Sequence, residues 1–529
     1  MDTPGHSAVP PAELARLLEE FFLDHPRAAL LEDGRVLFEM ATSHYSISAE
    51  HGRCVLHLWS EERNLVRTVL GLEARKERLR ILVRRLGTQR AQALEVVKDR
   101  DLRTPAARAL SRSRYLPFLE RLLTRNFNDY KLESLSSAMD LEHSFGPAYA
   151  RGLLARGQQC WACIGVNGDE SQATLDGVLT LGILWLAYCR DHSAGKRVCQ
   201  GLKVIMPAGS GATTRARMAW LNRKLAQWEL YEAGVDDDDL VPIDTADQGN
   251  LKMRLIHAFN HSAAIERAQD GLTRVMRLLP PGMQSRVAVV PRSANEVALS
   301  LHGLEFARIR HGFVPDSFAR HANVTFGAGA NETPLGGETE ASFAEMMQRL
   351  FESRCPEGNA RNPLFRLQPE SWLQSTIAGD LSLIDDTLAG SPVYHQVPAF
   401  SAADRAMLDL LTVTRSGRLA ILELKAGEDL HFPLQGLDYW IRVHWLHRQR
   451  NASGAGELEQ SGYFPGVPLE DASPLMYYVV PALRVHPSME TILAHLSPAV
   501  AWTLLALNEG WRKEPKVVFR KRSSTGFTR

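Results

Sequence analysis

Two apolar segments in the C-terminal third of the chain contain ionisable residues where burial should exclude them. Residues 406–413 carry Asp409, and residues 419–425 carry Glu423 and Lys425. Both segments have the length and composition of strands, and the Ser-Gly pair at 416–417 predicts a turn between them. Isolated buried charges are costly, so these strands need either partner charges or a metal ion.

Strand periodicity indicates how these residues would be arranged. Glu423 and Lys425 should share one face of their strand, with Leu422 and Leu424 on the other. If the strands pair through the turn at 416–417, Asp409 approaches Glu423. Two carboxylates and the main-chain carbonyl of Leu424 form an oxygen set suited to Mg²⁺ or Mn²⁺. Lys425 would then lie beside the bound water or near the charge that develops on a phosphate.

Two helices should flank this strand pair. The first begins at Pro369 and carries Glu370 in its first turn. The second begins near Pro433, and the spacing of Gln435, Tyr439 and Arg442 places them on one face. The apolar residues of the second helix should turn toward the sheet: Leu434, Leu437, Ile441 and Trp445.

The ordered set of helical Glu, strand Asp, strand Glu-Leu-Lys and helical Gln-x-x-x-Tyr resembles the PD-(D/E)xK nuclease superfamily. Gln435-Gly-Leu-Asp-Tyr439 is similar to the additional motif of its RecB-like branch, and residues 407–425 resemble the catalytic segment of NucS-type DNA endonucleases. The resemblance implies a restriction-endonuclease-like α/β/α core over residues 363–529.

The same resemblance implies Mg²⁺-dependent phosphodiester hydrolysis, with DNA as the expected substrate. Asp409, Glu423 and the Leu424 carbonyl would bind the metal with help from Glu370, and Lys425 would position or activate water. Gln435 and Tyr439 would orient the substrate, and with Arg442 they would contact the nucleic-acid strand. Three alternatives stay open. The charged residues could pair structurally at the rim of a sheet, the domain could bind nucleic acid without cleaving it, or a nucleotide-sensing central module could control the nuclease.

The remaining chain predicts an α/β multidomain protein. Residues 1–155 suggest a basic, β-rich module with a helical end, residues 156–260 an α/β module, and residues 261–355 an α+β connecting module. Residues 61–125 hold 17 Lys/Arg against 8 Asp/Glu. That excess suits phosphate contact through Arg80, Arg84 and Arg85, although a solvated arginine-rich surface would have the same composition.

Composition supports a cytoplasmic protein without membrane association. The opening residues lack the pattern of a secretory signal, and six cysteines in 529 residues do not form a disulfide framework. Cys160 and Cys163 form a lone C-x-x-C within an apolar strand, which favours buried core cysteines. The apolar run at 177–188 predicts a buried helix, and residues 213–225 predict a second helix. The sequence leaves open DNA or RNA, endonuclease or exonuclease action, and pairing as a homodimer.

Overall fold

The computed structural model has a mixed α/β, multidomain architecture. It describes residues 10–26, 28–32, 35–40, 43–50, 52–59, 64–74, 78–85, 91–97, 105–193, 196–234, 239–248, 253–255, 257–313, 320–327, 332–401, 404–449 and 456–523. The chain divides into two compact units. The first contains Met1–Ala219 and Arg223–Asp247, and the second contains Trp220–Asn222 and Gln248–Arg529.

The first unit begins with a helix and a seven-stranded antiparallel sheet, named here the N-terminal sheet, in the order β2-β1-β7-β6-β5-β4-β3. Strict alternation buries Leu79, Ile81 and Val83 in a core that they share with residues of α1. The elements are α1 (Pro11–Asp24), β1 (Ala29–Glu32), β2 (Arg35–Glu39), β3 (His44–Glu50), β4 (Arg53–Trp59), β5 (Asn64–Ala74), β6 (Arg78–Arg85) and β7 (Ala91–Val97).

The first unit also contains a six-stranded central sheet in the order β13-β12-β11-β10-β9-β8. Its middle strands β10, β11 and β12 are parallel, and antiparallel strands complete both edges. The β9–β10 hairpin spans the predicted module boundary at 155–156. The elements are α2 (Pro105–Asn126), β8 (Lys131–Ser136), β9 (Tyr149–Arg156), β10 (Gln159–Val166), α3 (Gln172–Ser193), β11 (Val198–Pro207), α4 (Ala212–Met218), β12 (Gln227–Ala233) and β13 (Leu240–Ile243).

Helix α3 lies in the core of the first unit. In the described part of the chain it is the one helix long and apolar enough to cross a membrane, and 61% of its most apolar stretch is buried within the protein. Gly182 approaches Leu202 and Ile164 of the central sheet closely. The buried helix predicted at 177–188 is therefore confirmed. Cys160 and Cys163 are also buried, as predicted.

The second unit contains a five-stranded antiparallel sheet in the order β15-β16-β17-β18-β19. Three helices cover one face of it and bury a core that includes Leu272, Leu299, Ile309 and Phe343. The elements are α5 (His261–Arg267), α6 (Gln269–Leu278), β15 (Val287–Ser293), β16 (Glu296–Leu301), β17 (Leu304–Phe313), β18 (Arg320–Phe326), β19 (Thr333–Pro334) and α7 (Glu340–Ser353).

The C-terminal sheet of the second unit has seven strands in the order β14-β20-β21-β22-β23-β24-β25. Strands β20, β21 and β22 form an antiparallel meander, and β22, β23 and β24 run parallel. The elements are β14 (Met253–Leu255), α8 (Pro363–Arg366), α9 (Pro369–Gly379), β20 (Tyr394–Ser401), β21 (Asp404–Val413), β22 (Leu419–Leu424), α10 (Phe432–Arg448), α11 (Glu457–Gln460), β23 (Leu475–Pro481), α12 (Met489–Ala494), β24 (Ala501–Leu507) and β25 (Val517–Arg522).

Helices α9 and α10 cover opposite faces of the C-terminal sheet. Leu373 and Ile377 of α9 share a core with Leu422 and Tyr477. Gly436 of α10 instead lies against the next residue along β23, Tyr478, whose side chain would collide with a Cβ at position 436. Because neighbouring strand residues point to opposite faces, the sheet lies between the two helices.

One helix of the first unit is shorter than the sequence suggested. Helical periodicity predicted residues 213–225, whereas α4 ends at Met218. The chain then enters the second unit, where Trp220 packs edge-on against Trp440 with ring centroids 4.7 Å apart. Leu221 forms a β-bridge with Leu496. These tertiary contacts replace the last turns of the predicted helix.

Candidate metal centre

The β21–β22 hairpin brings Asp409 and Glu423 together. Its register runs from Val413 opposite Leu419 to Leu410 opposite Leu422, so Asp409 and Glu423 face each other one residue further on. The main-chain N–H of Leu424 donates a hydrogen bond to Asp409 Oδ2 at 2.9 Å. The predicted strand pairing and the approach of the two carboxyl groups are therefore present in the structure.

The turn that closes this hairpin depends on glycine. Gly417 has a φ of 95°, and a Cβ at this position would collide with the carbonyl oxygen of Pro468. The N–H of Glu470 donates to the Gly417 carbonyl at 3.0 Å. A positive φ and this close approach both require glycine, so Gly417 sets the register that aligns the carboxylates.

Glu423 is buried with an incomplete set of hydrogen bonds. Its side chain is only 2% exposed, and Oε2 has no hydrogen-bond partner. Burial and the adjacent Asp409 carboxylate raise the pKa of Glu423 well above its usual value. Burial also raises the pKa of Asp409, although the Leu424 N–H partly opposes that shift. A buried carboxyl group in contact with a partly buried one favours a cation that both can bind.

Lys425 lies beside this carboxylate pair, directly after β22. Its side chain is 16% exposed, with Nζ at 3.9 Å from Glu370 Oε2 and 4.0 Å from Asp429 Oδ2. The positive charge of Lys425 partly opposes the rise in the pKa of both Asp409 and Glu423, so its ammonium group is close enough to interact with the pair electrostatically. Asp429 was not singled out from the sequence, because it lies in the loop after the strand.

Glu370 lies in the first turn of α9, as predicted, and half of its side chain is exposed. Its charge raises the pKa of both Asp409 and Glu423, so it is close enough to interact with them electrostatically. Its nearest charged partner is Lys425. Glu370 therefore lies at the edge of the carboxylate pair, beside the lysine.

Helix α10 presents Tyr439 and Gln435 to the same site. Gln435 Nε2 donates to the Tyr439 hydroxyl at 3.2 Å. Burial and the neighbouring Glu423 raise the pKa of Tyr439. Arg442 lies one turn further along, with its guanidinium 6.0 Å from the Tyr439 ring centre, and its Nη1 is buried without a hydrogen-bond partner. The three predicted residues thus share one flank of the helix.

The apolar side of α10 differs in part from the prediction. Leu434, Leu437 and Ile441 are buried, whereas Trp445 is only partly buried. Gly436 also lies directly against the sheet, in contact with Tyr478. Tyr478 is fully buried, and its hydroxyl donates to the Pro433 carbonyl at 2.7 Å. Sequence periodicity gave no weight to Gly436 because it has no side chain.

A divalent cation such as Mg²⁺ needs oxygen ligands, and the candidate centre provides a small set of them. Within the described residues, no group of three or more His, Cys, Asp or Glu side chains is arranged to hold a metal ion. The centre therefore offers two carboxylates, Asp409 and Glu423, beside the main chain of Leu424. Mg²⁺ is commonly bound through one or two carboxylates and retained waters, so this set fits Mg²⁺ or Mn²⁺. The unpartnered Glu423 Oε2 is the atom that a cation would satisfy.

The three arginines that were predicted to contact phosphate, Arg80, Arg84 and Arg85, lie on β6 of the first unit. Arg80 lies at 3.5 Å from Glu73 and opposite Glu95 in the β6–β7 register. Arg84 is partly buried on the same strand. The side chain of Arg85 is outside the described residues. Since two carboxylates neighbour Arg80, its charge is partly neutralised within the sheet.

Comparisons with known proteins add no assignment. No protein-family model matches the chain, and no curated protein matches it. The residues of the candidate metal centre are therefore the basis for proposing a function.

Proposed function

We propose that the protein is a Mg²⁺-dependent nuclease that hydrolyses phosphodiester bonds in DNA, with its active site in a restriction-endonuclease-like domain at residues 363–529. The observation that carries this proposal is the Asp409–Glu423 pair on adjacent strands, with Lys425 beside it. Glu423 is buried with an unpartnered carboxylate oxygen, and Asp409 is partly buried. The order of helix, three-stranded meander, helix and parallel strand supports the proposed fold.

Each residue of the site has a separate role in the proposed reaction. Asp409, Glu423 and the main chain of Leu424 would hold the metal, with Glu370 at the edge. When bound, Mg²⁺ supplies Lewis-acid activation of water and of the phosphate. Lys425 places its ammonium group where it can orient a water molecule or stabilise the charge that develops on the phosphate oxygens.

Helix α10 provides the contacts to the nucleic-acid strand. Gln435 and Tyr439 hold each other through their hydrogen bond and face the carboxylate pair. The unpartnered Nη1 of Arg442 is a donor suited to a phosphate oxygen. These residues would orient the phosphodiester against the metal centre, and Lys425 would remain free to act on the water or the phosphate.

A cleavage assay on plasmid DNA and on single-stranded DNA tests the proposal. The wild-type protein should cut at least one substrate with Mg²⁺ and not with EDTA, and Asp409→Asn should be inactive because it removes one anionic ligand. Glu514→Gln is a matched control, since it makes the same carboxylate-to-amide change at an exposed position beside Lys516.

Two results would contradict the proposal. One is cleavage by Asp409→Asn at the wild-type rate under saturating Mg²⁺. The other is wild-type protein that binds both substrates but cuts neither with Mg²⁺ or Mn²⁺, which would indicate a nucleic-acid-binding protein without nuclease activity.

A further inference from the structure

Arg354 is a buried cation whose hydrogen bonds all go to main-chain carbonyl oxygens. It follows the last residue of α7, is 0% exposed, and stacks on Trp372 at 4.7 Å from the ring centre. Its guanidinium donates to the carbonyls of Leu301, His302, Leu364, Leu367 and Gln368 at 3.1, 2.8, 2.9, 2.6 and 3.4 Å. A planar guanidinium can hold several acceptors in fixed directions, which a lysine ammonium cannot.

These carbonyls come from two separate parts of the second unit. Leu301 ends β16 and His302 begins the turn to β17, whereas Leu364, Leu367 and Gln368 lie in the segment that leads into α9. Arg354 therefore ties the five-stranded sheet to the segment that begins α9. Gln368, the residue before the helix, has a φ of 43°, an unfavourable conformation that persists only when its surroundings hold it.

A second contact fixes the same helical turn. Gly303 has a φ of 75°, and a Cβ there would collide with the carbonyl oxygen of Ser371 in α9. The neighbouring His302 ring stacks on Trp372 at 4.8 Å. The β16–β17 turn thus abuts the first turn of α9 without room for a side chain.

Glu370 lies between Gln368 and Ser371, the two residues that these contacts hold in place. Arg354 holds the carbonyl of Gln368, and Gly303 contacts Ser371. We propose that Arg354 is a positioning residue, which sets the first turn of α9 so that Glu370 reaches the metal centre beside Lys425. This inference rests on the proposed function, because it assigns a remote determinant of that site. Residues that orient ligands in this way typically change metal affinity by about 10–100-fold when they are replaced.

Metal binding by the full chain tests this without relying on cleavage. Mn²⁺ alone is titrated into each protein, and free Mn²⁺ is followed by electron paramagnetic resonance. We expect Arg354→Lys to weaken Mn²⁺ binding about tenfold, and Gly303→Ala to weaken it as well because α9 must shift. Glu370→Gln should produce a loss of similar size, and adding Arg354→Lys to Glu370→Gln should cause no further loss.

The control is Arg274→Lys, which weakens the ion pair between Arg274 of α6 and Glu340 of α7. It should leave Mn²⁺ affinity unchanged. If Arg354→Lys does not fold, Gly303→Ala in the two backgrounds provides the same comparison.

The outcomes distinguish the positioning role of Arg354 from the presence of the metal centre itself. Losses that add fully in the Glu370→Gln background would overturn the positioning role, and so would unchanged Mn²⁺ affinity in folded Arg354→Lys and Gly303→Ala. Wild-type protein whose Mn²⁺ binding is absent, or is unaffected by Asp409→Asn, would contradict the metal centre itself and this inference with it.

Discussion

Two alanine substitutions in α10 should separate substrate contact from helix packing. Gln435 is partly buried and donates one hydrogen bond to Tyr439, whereas Ile441 is 4% exposed. Ile441→Ala removes three buried carbons at about 0.8 kcal/mol each, and the remaining cavity raises the loss to about 3 kcal/mol. For a domain of about 200 residues, that corresponds to a decrease in Tm of about 6–12 °C.

Gln435→Ala should have the opposite profile. Its loss of stability should stay near 1 kcal/mol or below, since one hydrogen bond at the edge of the site is removed. If the amide also contacts a charged phosphate in the transition state, the lost bond is worth about 1.5–3 kcal/mol, so cleavage should fall about 10–100-fold.

Thermal melts and initial rates, corrected for the folded fraction, give four values for the two variants. Ile441→Ala should cut normally per folded molecule, and Gln435→Ala should melt near the wild-type temperature. If Gln435→Ala melts early and its folded fraction cuts at the wild-type rate, the two sides of α10 have been assigned in reverse.

Two further predictions concern the candidate site, and a third concerns His444 of α10. Asp409→Ala and Glu423→Ala should each abolish cleavage and melt no earlier than wild type in EDTA, because each removes one of two crowded carboxyl groups; a large loss of stability would indicate a structural ion pair. Lys425→Ala should lose turnover but keep most of its DNA affinity in Ca²⁺, and a parallel loss of affinity would contradict a role in water or phosphate activation. Burial lowers the pKa of His444 to about 4, so the folded state favours the neutral ring. The contribution of His444 to the free energy of unfolding is complete above pH 6.5 and falls by at most about 3 kcal/mol as the pH drops to 4. Urea unfolding of His444→Gln should therefore show a shallower acid dependence than that of the wild-type protein.

The local parts of the candidate site could be predicted from the sequence. Period-two patterning, the glycine turn and the first-turn prolines are short-range signals, and they located Asp409, Glu423 and the starts of α9 and α10. The pairing of Asp409 with Glu423 followed because an antiparallel hairpin has one free parameter, its register, which the turn fixes.

The long-range determinants could not be predicted in this way. Arg354 binds main-chain carbonyls, which every residue has, so no side-chain pattern marks its partners. Gly303 and Gly436 are required because atoms of residues distant in sequence, Ser371 and Tyr478, approach them closely. Local sequence patterns do not indicate such contacts. Helix α4 was predicted too long for the same reason, since Trp220 and Leu221 have helical spacing but find distant partners in Trp440 and Leu496.

The path of the chain at Trp220–Asn222 has a practical consequence for dissecting the protein. The polypeptide enters the second unit for three residues and returns to the first before it passes on at Gln248. No single cut in the polypeptide therefore releases both units intact. A fragment that begins at Gln248 lacks the strand partner of Leu496 and the ring that covers Trp440, so the proposed nuclease activity should be tested in the undivided chain.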